Sequence, residues 1–234
     1  LKKEIRQILE EVGYLPSEKQ LCQLQLFYQL LVQKNKVMNL TALDAPEDFL
    51  EKHLRDSLLL HRHFVFKENS KLIDVGTGAG FPGLPIAIME PTLSVALLDS
   101  LSKRIIFLEE VIDALELGNA FAVNMRAEIA GQVPEFREHF DYCVSRAVSH
   151  LNKLTEYCLP LVKPGGWFIP YKAEKVLAEI PESQKVIALL GGEYTGMKED
   201  QVLGAKRYFP MIVKKKGTPE GYPRSSEKIA KKAL

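Results

Sequence analysis

Nowhere in this sequence does an apolar run approach the ~20 residues that a membrane-spanning helix requires, so no membrane partner is expected. Cysteine is scarce: Cys22, Cys143 and Cys158 stand far apart with no C-x-x-C pair. That excludes a disulfide framework and a zinc ribbon, and it favours a reducing, cytoplasmic setting. The first residues, LKKEIRQILEEVG, mix charges with apolar residues and lack the continuous core of a signal peptide. No internal repeat stands out, and no nucleophile–base–acid pattern suggests a catalytic triad. Cys143 and Cys158 fall on apolar patterns, outside any Pro-Cys pair, and read as buried inert thiols. His53, His61 and His63 have no acidic or thiol partner at ligand spacing, so they are expected at the surface and no metal is expected. Tyr28, Tyr157 and Trp167 sit on apolar faces and read as core.

What is present suits one generous domain. The 234 residues are 46% hydrophobic and 26% charged, enough for a sizeable core. A net charge of +1 conceals an asymmetry: from Gln201 onward nine Lys/Arg face two Glu, a balance of +7 that leaves −6 for the rest. A basic end on an acidic body fits either contact with phosphates or a solubilising tail.

The first 69 residues read as a helical extension. Gly13 stops one helix, Ser17 and Gln20 form a capping box for LCQLQLFYQLLVQ, and Pro46 opens a third helix. From residue 70 to 234 short apolar runs alternate with helical patterns: LIDVG, LSVALLD, AFAVN, FDYCVSRA and GGWFIPYK each precede one. Such βα repetition implies a parallel sheet covered on both faces. The end departs from it, because GGEYTGMKED and KRYFPMIVKKK read as a hairpin. By analogy this is a class I methyltransferase (Rossmann-like) α/β fold with a C-terminal antiparallel hairpin, packed with the extension as one compact unit.

The stretch DVGTGAGFPGLP follows the first strand and opens a helix. Gly76-x-Gly78-x-Gly80 reads as an adenosylmethionine loop, and Gly78-x-Gly80-x-x-Gly83 as a dinucleotide loop. Asp74, two residues before Gly76, would repel a pyrophosphate but serve an ammonium group. Phe81 and Pro82 stiffen the turn where a phosphate needs open amides. These features favour adenosylmethionine, with Gly83 serving helix–sheet packing. Asp99, one strand later, suits ribose hydroxyls. Asn124-Met-Arg-Ala-Glu128 lies where an adenine would rest, with Ala127 offering a backbone N–H and Glu128 a carboxylate. Either is equally a plain helix start. Arg146, after the fourth strand, suits a carboxylate, phosphate or base, or a surface ion pair.

Taken together, DVGTGAGFPGLP, LLDSLSKRIIFL, RAE and SRAVSHLNKLTEYCLPLVKPGG resemble the ribosomal small-subunit methyltransferase G family, also called glucose-inhibited division protein B. KNKVMNLTA and HLRDSLLL in the leader agree, and the likeness runs from about residue 33 to 172. The resemblance implies methyl transfer from S-adenosylmethionine to N7 of a guanine in bacterial 16S ribosomal RNA near the decoding centre. The partner is then that RNA or a small-subunit assembly intermediate, with no obligate protein partner. It further implies that Gly76 and Phe81 contact the cofactor, that Ala127 and Glu128 border the adenine, and that Arg146 lies between cofactor and substrate. The family usually has an acid after RAE, where Ile129 stands here. Its basic Gly-Thr-Pro repeat is replaced after Gly217-Thr-Pro219 by EGYPRSSEKIAKKAL.

Guanine N7 carries a lone pair and no proton, so no general base is expected and positioning carries the chemistry. Arg146 is then a binder of phosphate or base rather than a proton-transfer group. Lys34, Lys36, Lys214, Lys215, Lys216 and the last lysines are candidates for RNA phosphates. Two other classes fit the same letters: an NAD(P)-dependent oxidoreductase using Gly78, Gly80 and Gly83, and a non-catalytic RNA-binding protein with a methyltransferase fold.

Overall fold

A computed structural model describes residues 1–38 and 45–234, with side chains of 1–36 and 45–234. Part of KNKVMNLTA lies outside the described residues. The leader folds as expected into α1 (Lys2–Glu11) and α2 (Glu18–Met38). The capping box closes, with Ser17 N donating to Gln20 Oε1 at 2.9 Å and Gln20 N to Ser17 Oγ at 3.3 Å. Next come α3 (Pro46–Asp48), a π-helical stretch (Phe49–Arg55), α4 (Asp56–Leu58) and a 3-10 turn (Leu59–Arg62). The π-helical stretch interrupts the helix that the sequence pattern suggested would be regular. Such insertions gather at functional sites, because they re-aim side chains within a helix.

The βα repetition gives β1 (Lys71–Val75), α5 (Gly83–Met89), β2 (Ser94–Asp99), α6 (Ser102–Ala114), β3 (Ala120–Asn124) and α7 (Ala127–Ala130). It continues as β4 (Phe140–Arg146), α8 (Leu151–Cys158), β5 (Val162–Tyr171) and α9 (Val176–Leu189). The chain closes with β6 (Gly192–Val202), β7 (Ala205–Lys214) and α10 (Ser226–Lys231). The sheet order is β3-β2-β1-β4-β5-β7-β6, parallel through β5 and antiparallel at β7 and β6. The order reverses between β1 and β4, and crevices for ligands open there at the carboxyl ends of the strands.

One core covers the face toward the leader. Ile5, Leu24, Phe27, Phe49 and Leu54 join Leu84, Leu97 and Leu108 in a single buried cluster. A second core beneath the other face includes Cys143, Cys158, Leu154 and Phe168. Both cysteines are buried, as their apolar context implied, and burial pushes the Cys143 thiol up, away from reactivity. Trp167 and Tyr28 pack against the core from half-buried positions. Among the described residues no helix is long and apolar enough to cross a membrane.

Candidate active site

Two cavities open side by side at the carboxyl ends of the parallel strands. The first, about 450 Å³, is lined by Gly76, Asp99, Arg104, Arg126, Ala127, Glu128 and Tyr157 among others. The second, about 510 Å³, is lined by Lys52, His53, Asp56, Arg146, Lys172, Glu179 and Arg207 among others. Ala147, Val148 and Ser149 line both and form the wall between them. Ala147 takes a left-handed conformation (φ 57°), a costly choice for a residue with a Cβ and one that clusters at functional sites. Lys172 Nζ donates to Ser149 O at 2.9 Å and pairs with Glu179 at 2.6 Å, which ties the wall to β5 and α9.

The glycine loop divides its labour. Gly76 sits at φ +72°, faces the first cavity, and packs so tightly that a Cβ would lie 2.5 Å from Val148. Asp74, Gly80 and Phe81 instead lie beneath the floor. Asp74 is fully buried, and its Oδ2 accepts the Gly83 amide at 2.8 Å. Burial pushes its carboxyl up to about 6, against the pull of the Thr77 hydroxyl and the Gly83 amide. Asp74, read as serving an ammonium group directly or through water, staples the loop to α5 from below through Oδ2, while its buried Oδ1 has no hydrogen-bond partner. Gly83 serves helix–sheet packing as read, since a Cβ would lie 2.3 Å from Leu97. Gly78 contributes its amide to Asp99 Oδ2 at 3.0 Å and does not line the cavity.

Phe81 is 4% exposed, in the core toward the leader. It stacks on His53 with centroids 4.4 Å apart, touches Phe27 at 5.1 Å, and carries the Arg146 guanidinium 5.5 Å from its ring centre. The resemblance implies a cofactor contact through its loop, while its ring is turned into the core. The structure makes it the platform beneath Arg146.

Asp99, 4% exposed, is held by three donors: the Gly78 amide, the Leu101 amide and Arg104, each at 3.0 Å. Two carboxylate oxygens offer about four acceptor sites, so room for a further hydroxyl is left. Ala127 is the first residue of α7, where an N–H has no partner inside the helix. Glu128 is 6% exposed, and its buried Oε1 has no hydrogen-bond partner, with Arg126 3.5 Å away as a loose ion pair. A buried carboxylate oxygen left unpaired at a cavity wall is costly unless a ligand donor satisfies it.

Arg146 is gripped from the leader. Nη1 donates to Lys52 O at 3.0 Å and Asp56 Oδ2 at 2.7 Å, and Nη2 meets His53 Nδ1 at 3.2 Å. Asp56, 3% exposed, also pairs with Arg207 of β7 through its other oxygen. His53 is therefore buried inside the site, not at the surface. Half-buried His61 stacks on Tyr14 at 3.8 Å, and half-buried His63 meets Asp200 at 2.8 Å. Tyr157 packs half-buried against the second core, as expected, and also lines the first cavity.

The expected phosphate-binding lysines do not assemble. Lys34 is paired with Glu110 Oε1 at 2.7 Å, and exposed Lys36 lines neither cavity. Lys214 has no exposed side-chain surface; its Nζ donates to Leu159 O at 2.8 Å and lies 3.3 Å from Glu138. Burial pulls its ammonium down to about 8. Lys215 is half exposed, loosely facing Glu193, and Lys216 is exposed. The reason for the misplacement is strand direction. Trp167 pairs with Val213 and Lys172 with Tyr208, so antiparallel β7 starts at the cavities and ends at the opposite edge. Arg207 reaches the site; Lys214, Lys215 and Lys216 do not.

The missed residues are Lys52, His53, Asp56, Arg104, Arg126, Lys172 and Arg207. Arg207 was signalled by the hairpin, which must bring its first residues to the rim. His53 and Asp56 had only HLRDSLLL as a sign and Lys52 had none, because their contacts to Arg146 cross some 90 positions of sequence.

Comparison with known proteins agrees with this geometry. Residues 20–203 match the GidB family profile, described as rRNA small subunit methyltransferase G. "Ribosomal RNA small subunit methyltransferase G" of Lachnoclostridium phytofermentans is 44% identical, covering 97% of this chain and 94% of that protein. The protein of the same name from Clostridium tetani is 45% identical over 88% of each. In fold, the chain is similar to a "SAM dependent methyltransferase from Aquifex aeolicus" (TM-score 0.57, 17% identity, 75% of this chain and 97% of that one). The chain belongs to the GidB family, the rRNA small subunit methyltransferase G proteins.

Proposed function

We propose that this protein transfers a methyl group from S-adenosylmethionine to N7 of a guanine in bacterial 16S ribosomal RNA near the decoding centre. The observation that carries this reading is the pair of cavities sharing the Ala147–Ser149 wall, with nucleoside-matching groups on one side and cations on the other. The first cavity's residues fit the cofactor. Glu128 Oε1, which has no hydrogen-bond partner, matches an exocyclic amine, the Ala127 N–H a ring nitrogen, and Asp99 a ribose hydroxyl. Gly76 leaves its backbone bare where a Cβ would collide with Val148. When bound, the cofactor supplies a methyl group on a cationic sulfur.

The remaining work falls to the second cavity. Five cationic side chains there (Lys52, Arg146, Lys172, Lys175 and Arg207) face two carboxylates (Asp56 and Glu179). Such a lining suits a nucleotide carrying phosphate. Guanine N7 needs no base, and the role left to the site is orientation of the ring across the wall. Arg146, backed by Phe81 and fixed by Asp56 and Lys52 O, is a preorganised edge for that base.

The dinucleotide reading is disfavoured by Asp74, which takes the Gly83 amide that a pyrophosphate would need and brings a carboxylate beneath it. The test is tritium transfer from labelled adenosylmethionine to small-subunit RNA from cells lacking the modification, followed by nucleoside chromatography. Label in 7-methylguanosine supports the reading. Label in another nucleoside, or none, overturns it.

A further inference from the structure

The C-terminal segment does not trail away from the sheet. After Lys214, Arg137 gathers it by donating to Thr218 O at 2.8 Å, Pro219 O at 3.3 Å and Tyr222 O. Gln132 Nε2 donates to Pro223 O at 2.8 Å. Arg224 then forms a two-pronged pair with fully buried Glu156, Nε–Oε1 2.8 Å and Nη2–Oε2 2.7 Å, and its own amide adds a third bond at 3.0 Å. Lys153, one turn nearer the start of α8, donates to Ala230 O at 3.2 Å. The segment therefore climbs α8 toward the rim, and buried Ile229 seats α10 there.

A third cavity, about 410 Å³, opens where α10 meets α7. Arg126, Gln132, Arg224, Ser225, Ser226 and Lys228 help to line it. It shares Arg126 and Glu128 with the first cavity, so the two are contiguous. Lys228, Lys231 and Lys232 are exposed, and their ammonium groups have no ion-pair partner among the described residues. Several lysines elsewhere are committed, among them Lys34 to Glu110, Lys172 to Glu179, Lys206 to Glu199 and Lys214 to Glu138, whereas these three unpaired ones lie within one short segment. Holding three uncompensated cations together on an ordered strap opposes charge repulsion, which a polyanion would relieve.

We infer that this tail strap and the third cavity form a second RNA-docking surface, taking backbone phosphates of the strand that flanks the methylated nucleotide. The inference rests on the proposed methyl transfer to RNA and adds the surface that holds the substrate strand. Positively charged groups that neutralise phosphates release counterions, so each contact steepens the salt dependence of binding by about 0.7–0.9 in the log–log slope.

The test measures affinity of the full chain for small-subunit RNA across a salt series. Variants are the triple Lys228→Ala, Lys231→Ala, Lys232→Ala and, as a loss of two surface charges at the opposite edge, Lys215→Ala with Lys216→Ala. All five positions are exposed, so folding is preserved, and calorimetry with adenosylmethionine provides the check. Expected for the triple variant is a slope shallower by about 2 and affinity about tenfold lower at moderate salt, with adenosylmethionine affinity unchanged. The Lys215/Lys216 variant should match wild type. An unchanged slope in the triple variant, or an equal change in both variants, overturns the strap while leaving methyl transfer standing. Failure of wild type to methylate the RNA overturns the reading beneath it instead.

Discussion

The two edges of the sheet put the same kinds of residue to opposite uses. At the rim, charged groups are held in place but left partly unsatisfied: Glu128 Oε1 has no hydrogen-bond partner, and Arg146 rests on Phe81 facing a cavity. At the far edge charge is closed off. Lys214 is buried and spends its ammonium on Leu159 O, Thr218 and Glu138. A closed polar group stabilises the fold, and an open one waits for a ligand. Sequence composition weighs Arg207 and Lys214 alike; the direction of β7 separates them.

Gly76→Val gives the largest expected break in this contrast. The new side chain collides with Val148 and must adopt φ +72°, so adenosylmethionine affinity should fall about a hundredfold or more by calorimetry. Binding within threefold of wild type would remove Gly76 from the donor cavity.

Asp56→Asn comes next. Two arginines lose their shared counter-charge, and breaking a buried pair costs about 3–5 kcal/mol in unfolding experiments. Methyl transfer should fall about tenfold or more, with adenosylmethionine affinity retained because Asp56 touches only the second cavity. An equal loss in both would merge the two cavities into one function.

Asp74→Asn sharpens the comparison from beneath the floor. A carboxyl raised from 3.8 to about 6 favours the fold fully below pH 3.8, and that contribution is lost as pH rises through 6. Denaturant unfolding should therefore show the Asn variant gaining on wild type between pH 4 and 7, by at most about 3 kcal/mol. A difference independent of pH would mean that Asp74 is ionised throughout.

Much of the fold was legible because its signals are local. Alternating apolar runs, the Ser17–Gln20 capping box and the closing hairpin each specify their element without reference to distant residues. Gly76, Asp99, Ala127 and Glu128 were legible for a related reason: each follows a strand, and parallel strands deliver their ends to one rim. The direction of the Phe81 ring was not legible, because a loop position does not reveal which way a side chain turns, and the apolar leader drew the ring inward onto His53. The pairing of Asp56 with Arg207 was invisible because it joins residues 151 positions apart. The placement of the basic residues was legible in the hairpin itself, which brings Lys206 and Arg207, rather than Lys214, Lys215 and Lys216, to the cavity end of the sheet.

The chemistry at the rim rests on one atom of the acceptor, and replacing it is the most direct test. Small-subunit RNA carrying 7-deazaguanine at the mapped position keeps every other edge of the base but has carbon at position 7. The expected result is RNA binding equal to that of the guanine substrate, with no transfer of labelled methyl. Transfer at the guanine rate would contradict methylation at N7 and require a different acceptor atom.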